Sequence, residues 1–176
     1  MFTRFLTFFL ACFALISPAY AEIKVATVDF ERAMNDVAEG AQAKARLDAM
    51  YADRRAAVEK LKTTFEAKQA DYQKQAMVMS DSARQAKEQE LNTIGMQYQQ
   101  AASQAEGEMQ QAYMGTMQTL AEKMKKIVQT IAGERQYTLV LESSQGGVLY
   151  AVPSIDITDE LIKRYNAANP VSSAGK

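Results

Sequence analysis

The feature that most constrains this chain is a stretch with no proline, running from Phe30 to Arg135. Proline inside a helix removes a backbone hydrogen bond and clashes with the preceding turn, so its absence over this length leaves long helices open. The same stretch is rich in Ala, Gln, Glu, Lys and Met, which are good helix formers. Apolar spacing supports the reading. Leu47, Tyr51, Val58, Leu61, Phe65, Tyr72 and Ala76 follow steps of three, four or seven, with Arg54 and Lys68 or Gln69 in the skipped slots. Leu91, Ile94, Tyr98, Ala101, Ala105, Met109, Tyr113, Met117, Leu120, Met124, Ile127 and Ile131 obey the same rule. Such steps draw one stripe along a helix and define a coiled-coil-like seam. Three consecutive steps of four, from Ala105 to Met117, act as a stutter that unwinds the supercoil locally.

Both stripes fade across Met77–Ala83, where Ser80, Asp81 and Ser82 can each begin a helix by accepting from first-turn amides. The pattern therefore predicts an antiparallel helical hairpin with its tip near Met79 to Ser82. Helices of roughly 40 and 50 residues make arms of about 60 Å or more. Gly95, Gly107 and Gly115 interrupt the returning helix, each at about 1 kcal/mol relative to Ala, so the arm should bend.

The flanks read differently. Ile23-Lys24-Val25-Ala26-Thr27-Val28 is β-rich and predicts a short strand, as does Tyr137-Thr138-Leu139-Val140-Leu141-Glu142. Ser143 to Gly147 reads as a turn and Val148-Leu149-Tyr150-Ala151-Val152 as a further strand, giving a β-hairpin that Pro153 ends. A final short helix within Ser154–Asn166 is expected, capped by Thr158, with Ile157 and Ile162 spaced as a hydrophobic staple. The fold class is α+β. Residues 39–127 form a helical hairpin arm on a small β-sheet body made from 22–38 and 128–170, with a disordered tail at 171–176.

So small a body cannot bury enough apolar surface alone. Val25, Val28, Leu139, Leu141, Val148 and Tyr150 are the candidates for burial between copies of the chain, which would remove exposed strand edges. The alternative is a monomer whose body packs on the root of its own arm, near Ile127 and Ile131.

At the amino terminus Arg4 precedes an apolar run from Phe5 to Ile16, and Ser17-Pro18-Ala19-Tyr20-Ala21 supplies small residues at a cleavage site. This is the layout of a secretory signal peptide cut after Ala21. The run is shorter than the ~20 residues of a membrane crossing; a retained anchor and lipidation at Cys12 are the alternatives. Beyond Ala21 the chain holds no Cys, His or Trp, so no disulfide stabilises it. Losing Arg4 leaves 19 of the 20 basic side chains against 21 acidic ones. That mixed, slightly acidic balance offers no basic face for nucleic acid. Without His or Cys there is no imidazole base, thiol nucleophile or zinc cluster. Glu88 and Glu90 lie on a polar helix, and Gly146-Gly147 lacks the pattern of a phosphate loop. No catalytic, cofactor-binding or metal-binding residue is assigned, and an enzyme is not expected.

A signal peptide leading into Ile23-Lys24-Val25-Ala26-Thr27-Val28-Asp29 is followed by a long polar hairpin turning at Met79-Ser80-Asp81-Ser82. Then come Tyr137-Thr138-Leu139-Val140-Leu141-Glu142, Val148-Leu149-Tyr150-Ala151 and Ile155-Asp156-Ile157-Thr158-Asp159-Glu160-Leu161-Ile162. In these residues the chain resembles the Skp (OmpH) family of periplasmic chaperones. The likeness is most specific in the first strand and in Asp156-Ile157-Thr158, and covers essentially the whole mature chain. It implies a homotrimer with a β-barrel body and three helical arms around a cavity. It also implies periplasmic location and clients that are unfolded outer-membrane β-barrel proteins, held without ATP. The best-known members are strongly basic and this chain is slightly acidic, so no lipopolysaccharide or anionic-lipid site is carried over.

A holding cavity needs many weak, adaptable contacts, which methionine suits because its unbranched thioether repacks around varied partners. Met77, Val78 and Met79 at the tip are the client-contact candidates. Met96, Met109, Met114, Met117 and Met124 lie along the returning helix, where filling the seam is the competing role. Arg54, Arg55, Lys60, Lys62, Lys68 and Lys74 could attract acidic segments or form a solvated face. A structural or adaptor coiled coil that spaces envelope components is the alternative function.

Overall fold

The computed structural model describes residues 23–145 and 147–171; the expected signal peptide, and all of the expected tail except Val171, lie outside them. Its elements run β1 (Val25–Val28), α1 (Phe30–Asp36), α2 (Ala38–Gln75), α3 (Asp81–Arg135), β2 (Leu139–Glu142), a 3₁₀ turn (Pro153–Ile155) and α4 (Thr158–Ala168). The fold is α+β and mostly helical.

With 38 and 55 residues, α2 and α3 are ~57 and ~82 Å long at 1.5 Å per residue. They pack against each other as a hairpin. The turn between them spans residues 76–80. Ser80 caps α3, its hydroxyl accepting from the Ala83 amide at 3.3 Å, as the sequence predicts. At the other end α3 runs through Gly133 and stops where Gln136 adopts a left-handed conformation with φ 58°. The Tyr137 amide donates to the Ala132 carbonyl at 2.9 Å and the Gln136 amide to Gly133 at 3.3 Å, which satisfies the last-turn carbonyls. The Lys24 ammonium adds a bond to the Arg135 carbonyl at 2.9 Å.

The sheet has two parallel strands in the register Val25↔Leu139 to Val28↔Glu142. Parallel neighbours need a long crossover, and here the crossover contains the whole arm. Among the described residues, the expected β-hairpin between 137–142 and 148–152 does not form. The Glu142 carboxylate gathers the amides of Ser144 (3.0 Å) and Gln145 (2.7 Å), while the Ser143 amide bonds the Val28 carbonyl at 2.8 Å. Those bonds turn the chain away from the free edge of β2. The opposite edge of β1 meets Asp156 in a single bridge.

The core lies at the root of the arm. Ala26 and Val28 of β1, Ala33 of α1, Val37, Leu120, Met124, Val128 and Ile131 of α3, and Ile157, Leu161 and Tyr165 at the carboxy-terminal end are all buried. Ile127, Val140 and Ile162 pack against that cluster. The body therefore packs on the root of its own arm, where α3 is buried at Leu120, Met124, Val128 and Ile131. Val37 breaks α1 from α2 with extended backbone (φ −76°, ψ 146°). Gly40 follows at a close approach: a Cβ there would lie 1.8 Å from the Met34 carbonyl oxygen. Val37 has no side chain able to cap α2, and Asn166 of α4 supplies the acceptor, 2.9 Å from the Ala38 amide.

Thr158 opens α4 without capping it in the expected way. Asp156 Oδ1 accepts from the Thr158 amide at 2.8 Å, which leaves the Thr158 hydroxyl to accept from the Asp29 amide at 2.9 Å. A threonine read as a local cap instead ties the last helix to the first strand. Lys163 and Arg164 fall in mid-helix, because α4 continues to Ala168.

Candidate functional site

Between residues 41 and 119 no side chain is buried. The arm is two helices in contact, with a seam of half-exposed residues and polar ties across it. Arg54 meets Glu108 at 2.8 Å, Lys68 pairs with Glu90, and Tyr72 donates to Glu88 at 2.5 Å. The bond to Glu88 raises the pKa of the Tyr72 phenol, and the bond from Lys68 lowers that of Glu90. Arg54 and Lys68, read as a solvated or client-attracting face, are thus cross-links between the two helices. Exposed ion pairs of this kind are worth about 0–1 kcal/mol each, so they set register more than stability.

Two residues expected in the seam are not there. Tyr51 and Tyr113 are each 54% exposed. Tyr51 lies outside any run of four-residue steps. On α3 such steps outrun the 3.6-residue turn, so the stripe drifts off the contact line through the stutter and carries Tyr113 with it. Ala112 and Thr116 are half-buried in its place. The displaced tyrosines line a concave groove of about 1170 Å³ at the base of the arm. Phe30 and Met34 of α1, Leu47 and Tyr51 of α2, and Met109, Tyr113, Met114 and Met117 of α3 form its apolar wall. Lys44, Asp48 and Gln118 belong to the same lining. The break at Val37 opens the groove, because it lets α1 and α2 form separate walls.

Two polar knots hold these walls. Glu142 sits at the start of α1, accepting from the Phe30 amide at 3.3 Å as well as from the Ser144 and Gln145 amides. Burial pushes its carboxyl up, but the bond from the Ser144 hydroxyl, followed by those amide bonds, outweighs burial and holds it below the ordinary value. Glu39, in the first turn of α2, accepts from Lys123 Nζ of α3 at 2.6 Å and from the Tyr165 hydroxyl of α4 at 2.7 Å. Burial again raises the Glu39 pKa, and the bonds from Lys123 and Tyr165 with the nearby cationic charges lower it further than that. Burial, then the bond to Glu39, pushes the Tyr165 phenol far up, so it remains a donor.

At the tip, Met77 and Val78 are 94% and 86% exposed and Met79 is half-buried. In the sheet Val28 is only 2% exposed and belongs to the chain's own core, so it is not available to a second copy. Leu139, Leu141 and Tyr150 are exposed, and Val25 and Val148 half-exposed. Leu149, outside the predicted set, is fully exposed. The tip and the sheet face lie at opposite ends of the arm, and the groove lies next to the sheet end. Sequence reading missed the groove. Its signal was the run of four-residue steps, which was read as an effect on winding rather than on which side chains leave the seam.

A coreless two-helix arm, rooted in a body stitched from both chain ends and open at its base, defines an arm-and-body protein of the α+β class. The chain belongs to the OmpH-like outer membrane protein family, whose pattern it matches over residues 24–165. Its fold is similar to that of a solved candidate outer membrane chaperone (OmpH-like) from Caulobacter crescentus CB15. That likeness has a TM-score of 0.75 at 15% identity and covers 86% of this chain and 89% of the other. No curated protein matches the chain significantly. Among the described residues, no helix is long and apolar enough to cross a membrane.

Proposed function

We propose that this chain is an ATP-independent holding chaperone of the periplasm, sent there by a signal peptide cut after Ala21. It binds unfolded outer-membrane β-barrel proteins and keeps them from aggregating. The observation that carries this reading is the groove: Tyr51, Tyr113 and Met114 stand more than half exposed together in one concavity. Contiguous exposed apolar surface marks an interaction site. A methionine- and tyrosine-lined wall on an arm without a core suits partners held loosely and released. Family membership and the likeness to the Caulobacter crescentus protein support the same reading.

The body is completed by copies of the chain. Leu139 and Leu141 on the outer face of the sheet, with Leu149, Tyr150 and Val152 in the unpaired segment, are exposed apolar residues that a partner strand would cover. Three copies closing a barrel would place three arms around a shared space, with Met77, Val78 and Met79 at its mouth. There, each weak contact raises the effective concentration for the next.

The test is dilution of a urea-unfolded barrel protein into buffer with a stoichiometric amount of the chain and no nucleotide. Turbidity should stay low, and sedimentation should give three chains per particle. A structural adaptor would leave the turbidity unaltered, and a monomeric particle would defeat the shared cavity.

A further inference from the structure

We infer that the groove at the base of the arm is a selective seat for extended client segments with aromatic side chains at alternate positions. This rests on the holding function proposed above and names the class of segment bound. Of the 10 methionines in the chain, four line this groove: Met34, Met109, Met114 and Met117. They are joined there by Tyr51 and Tyr113. Met34 and Met117 also pack against the buried cluster at the root, but core filling does not explain Met114, which is 61% exposed, or Met109, which lies outside that cluster. Thioether sulfur makes favourable contacts with aromatic rings, and its unbranched chain reshapes around them. The two tyrosine rings add edge and offset contacts with another ring. An aliphatic side chain in the same place gains burial and neither of those.

Length sets the pattern. From Gly40 to Tyr51 the α2 wall spans about 16 Å at 1.5 Å per residue, the reach of roughly five extended residues. One face of such a segment presents two or three side chains. The groove, at about 1170 Å³, exceeds the ~300–1,000 Å³ of a small-molecule pocket and has room for several rings. Lys44, Asp48 and Gln118 in the lining are polar and of mixed sign. They suit the polar residues that alternate with the rings and make no demand for a charged segment.

The chain contains no tryptophan, so a tryptophan carried by a peptide reports alone. A short peptide alternating tyrosine with serine, with one central tryptophan, is titrated with the assembled chain from Glu22 onward. Its emission should shift to the blue and saturate. A competitor with leucine in place of tyrosine should displace it roughly tenfold less well than the tyrosine peptide does. Combining Met109→Ala with Met114→Ala should weaken binding about tenfold, with helical circular dichroism unchanged. The tip variant Met77→Ser with Val78→Ser should bind as the parent does. Met114→Cys supplies the only thiol beyond Ala21, and maleimide should label it in the assembled particle unless the peptide is present. Equal competition by the leucine peptide, or loss of binding in the tip variant alone, overturns the inference. A thiol already protected without peptide also overturns it and assigns the groove to a second copy. If the groove variant still suppresses aggregation and the peptide never binds, the inference falls while the holding function stands. If aggregation is not suppressed by the parent chain, the holding function itself fails.

Discussion

From Leu120 to Ile131 the helix α3 buries a side chain at nearly every turn, whereas from Asp81 to Thr119 the same helix buries none. Composition does not separate the two halves: both carry methionine, alanine and lysine at the same 3–4 spacing. What differs is the number of neighbours. Around Met124 the helix meets parts of both chain ends and of α1, while around Met109 it meets α2 and an open groove. A third and fourth layer turns an amphipathic stripe into a core; a single partner leaves it half wet. Stability is therefore concentrated at the root, and the arm is free to carry exposed apolar surface without unfolding the whole.

The largest test of that contrast is a pair of truncations. Met124→Ala should lower the free energy of unfolding by about 4 kcal/mol, and Leu61→Ala in the arm seam by only about 1 kcal/mol, read from urea midpoints at constant slope. Equal losses would break the distinction. Next comes Gly40→Ala. Its new Cβ would lie 1.8 Å from a backbone carbonyl that cannot swing aside, so a loss of about 3 kcal/mol is expected in the same measurement.

Tyr165→Phe tests the knot that joins arm to root. Removing a hydrogen bond to the Glu39 carboxylate should cost about 2 kcal/mol near neutral pH. The pH dependence carries the sharper signal. The Glu39 pKa is lowered from 4.5 in the folded chain, so its contribution is full above that value and is lost as pH falls through the depressed one. Without the Tyr165 hydroxyl the folded pKa moves back towards the unfolded one, so the Glu39 contribution shrinks. Thermal melts should show a shallower acid decline than in the parent, the two proteins differing most near neutral pH and converging as pH falls. An acid decline as steep as the parent's would remove Glu39 from the account. The smallest effect is of opposite sign. Nothing lies within 4 Å of a Cβ placed on Gly107 or Gly115, so alanine at either should stabilise by about 1 kcal/mol. Hydrogen exchange along the middle of α3 should slow. If either substitution destabilises the chain, that glycine has a packing role not visible in the arm alone.

The same contrast separates what was legible in the sequence from what was not. Local chemistry carried well: the missing prolines, the 3–4 spacing and the cap at Ser80 led to the hairpin and to its turn. Family resemblance followed from residues at the two ends. Readings that depend on a distant partner failed. Thr158 was read as a cap because its amide neighbours were visible, while Asp29 lies far away in sequence. The strand at 148–152 was read as the partner of β2 because it was the nearest candidate. The pull of Glu142 on the amides of Ser144 and Gln145 carries no periodic signal. Tyr51 and Tyr113 fitted the stripe by counting alone; drift through the four-residue steps puts Tyr113 in the groove, while no spacing signal marks Tyr51. Among the oligomerisation candidates, burial of Val28 depends on α3 and α4, which alternation along one strand cannot reveal.

The pairing of β1 with β2 also fixes the order in which the molecule can close. Asp29 waits for Thr158, Ala38 for Asn166 and Glu39 for Tyr165, partners synthesised 129, 128 and 126 residues later. The two long helices can zip together while the chain is still growing, but the body cannot be assembled until its carboxy-terminal end is free. Ribosomes stalled shortly before Tyr165 would thus present a hairpin with no foundation beneath it.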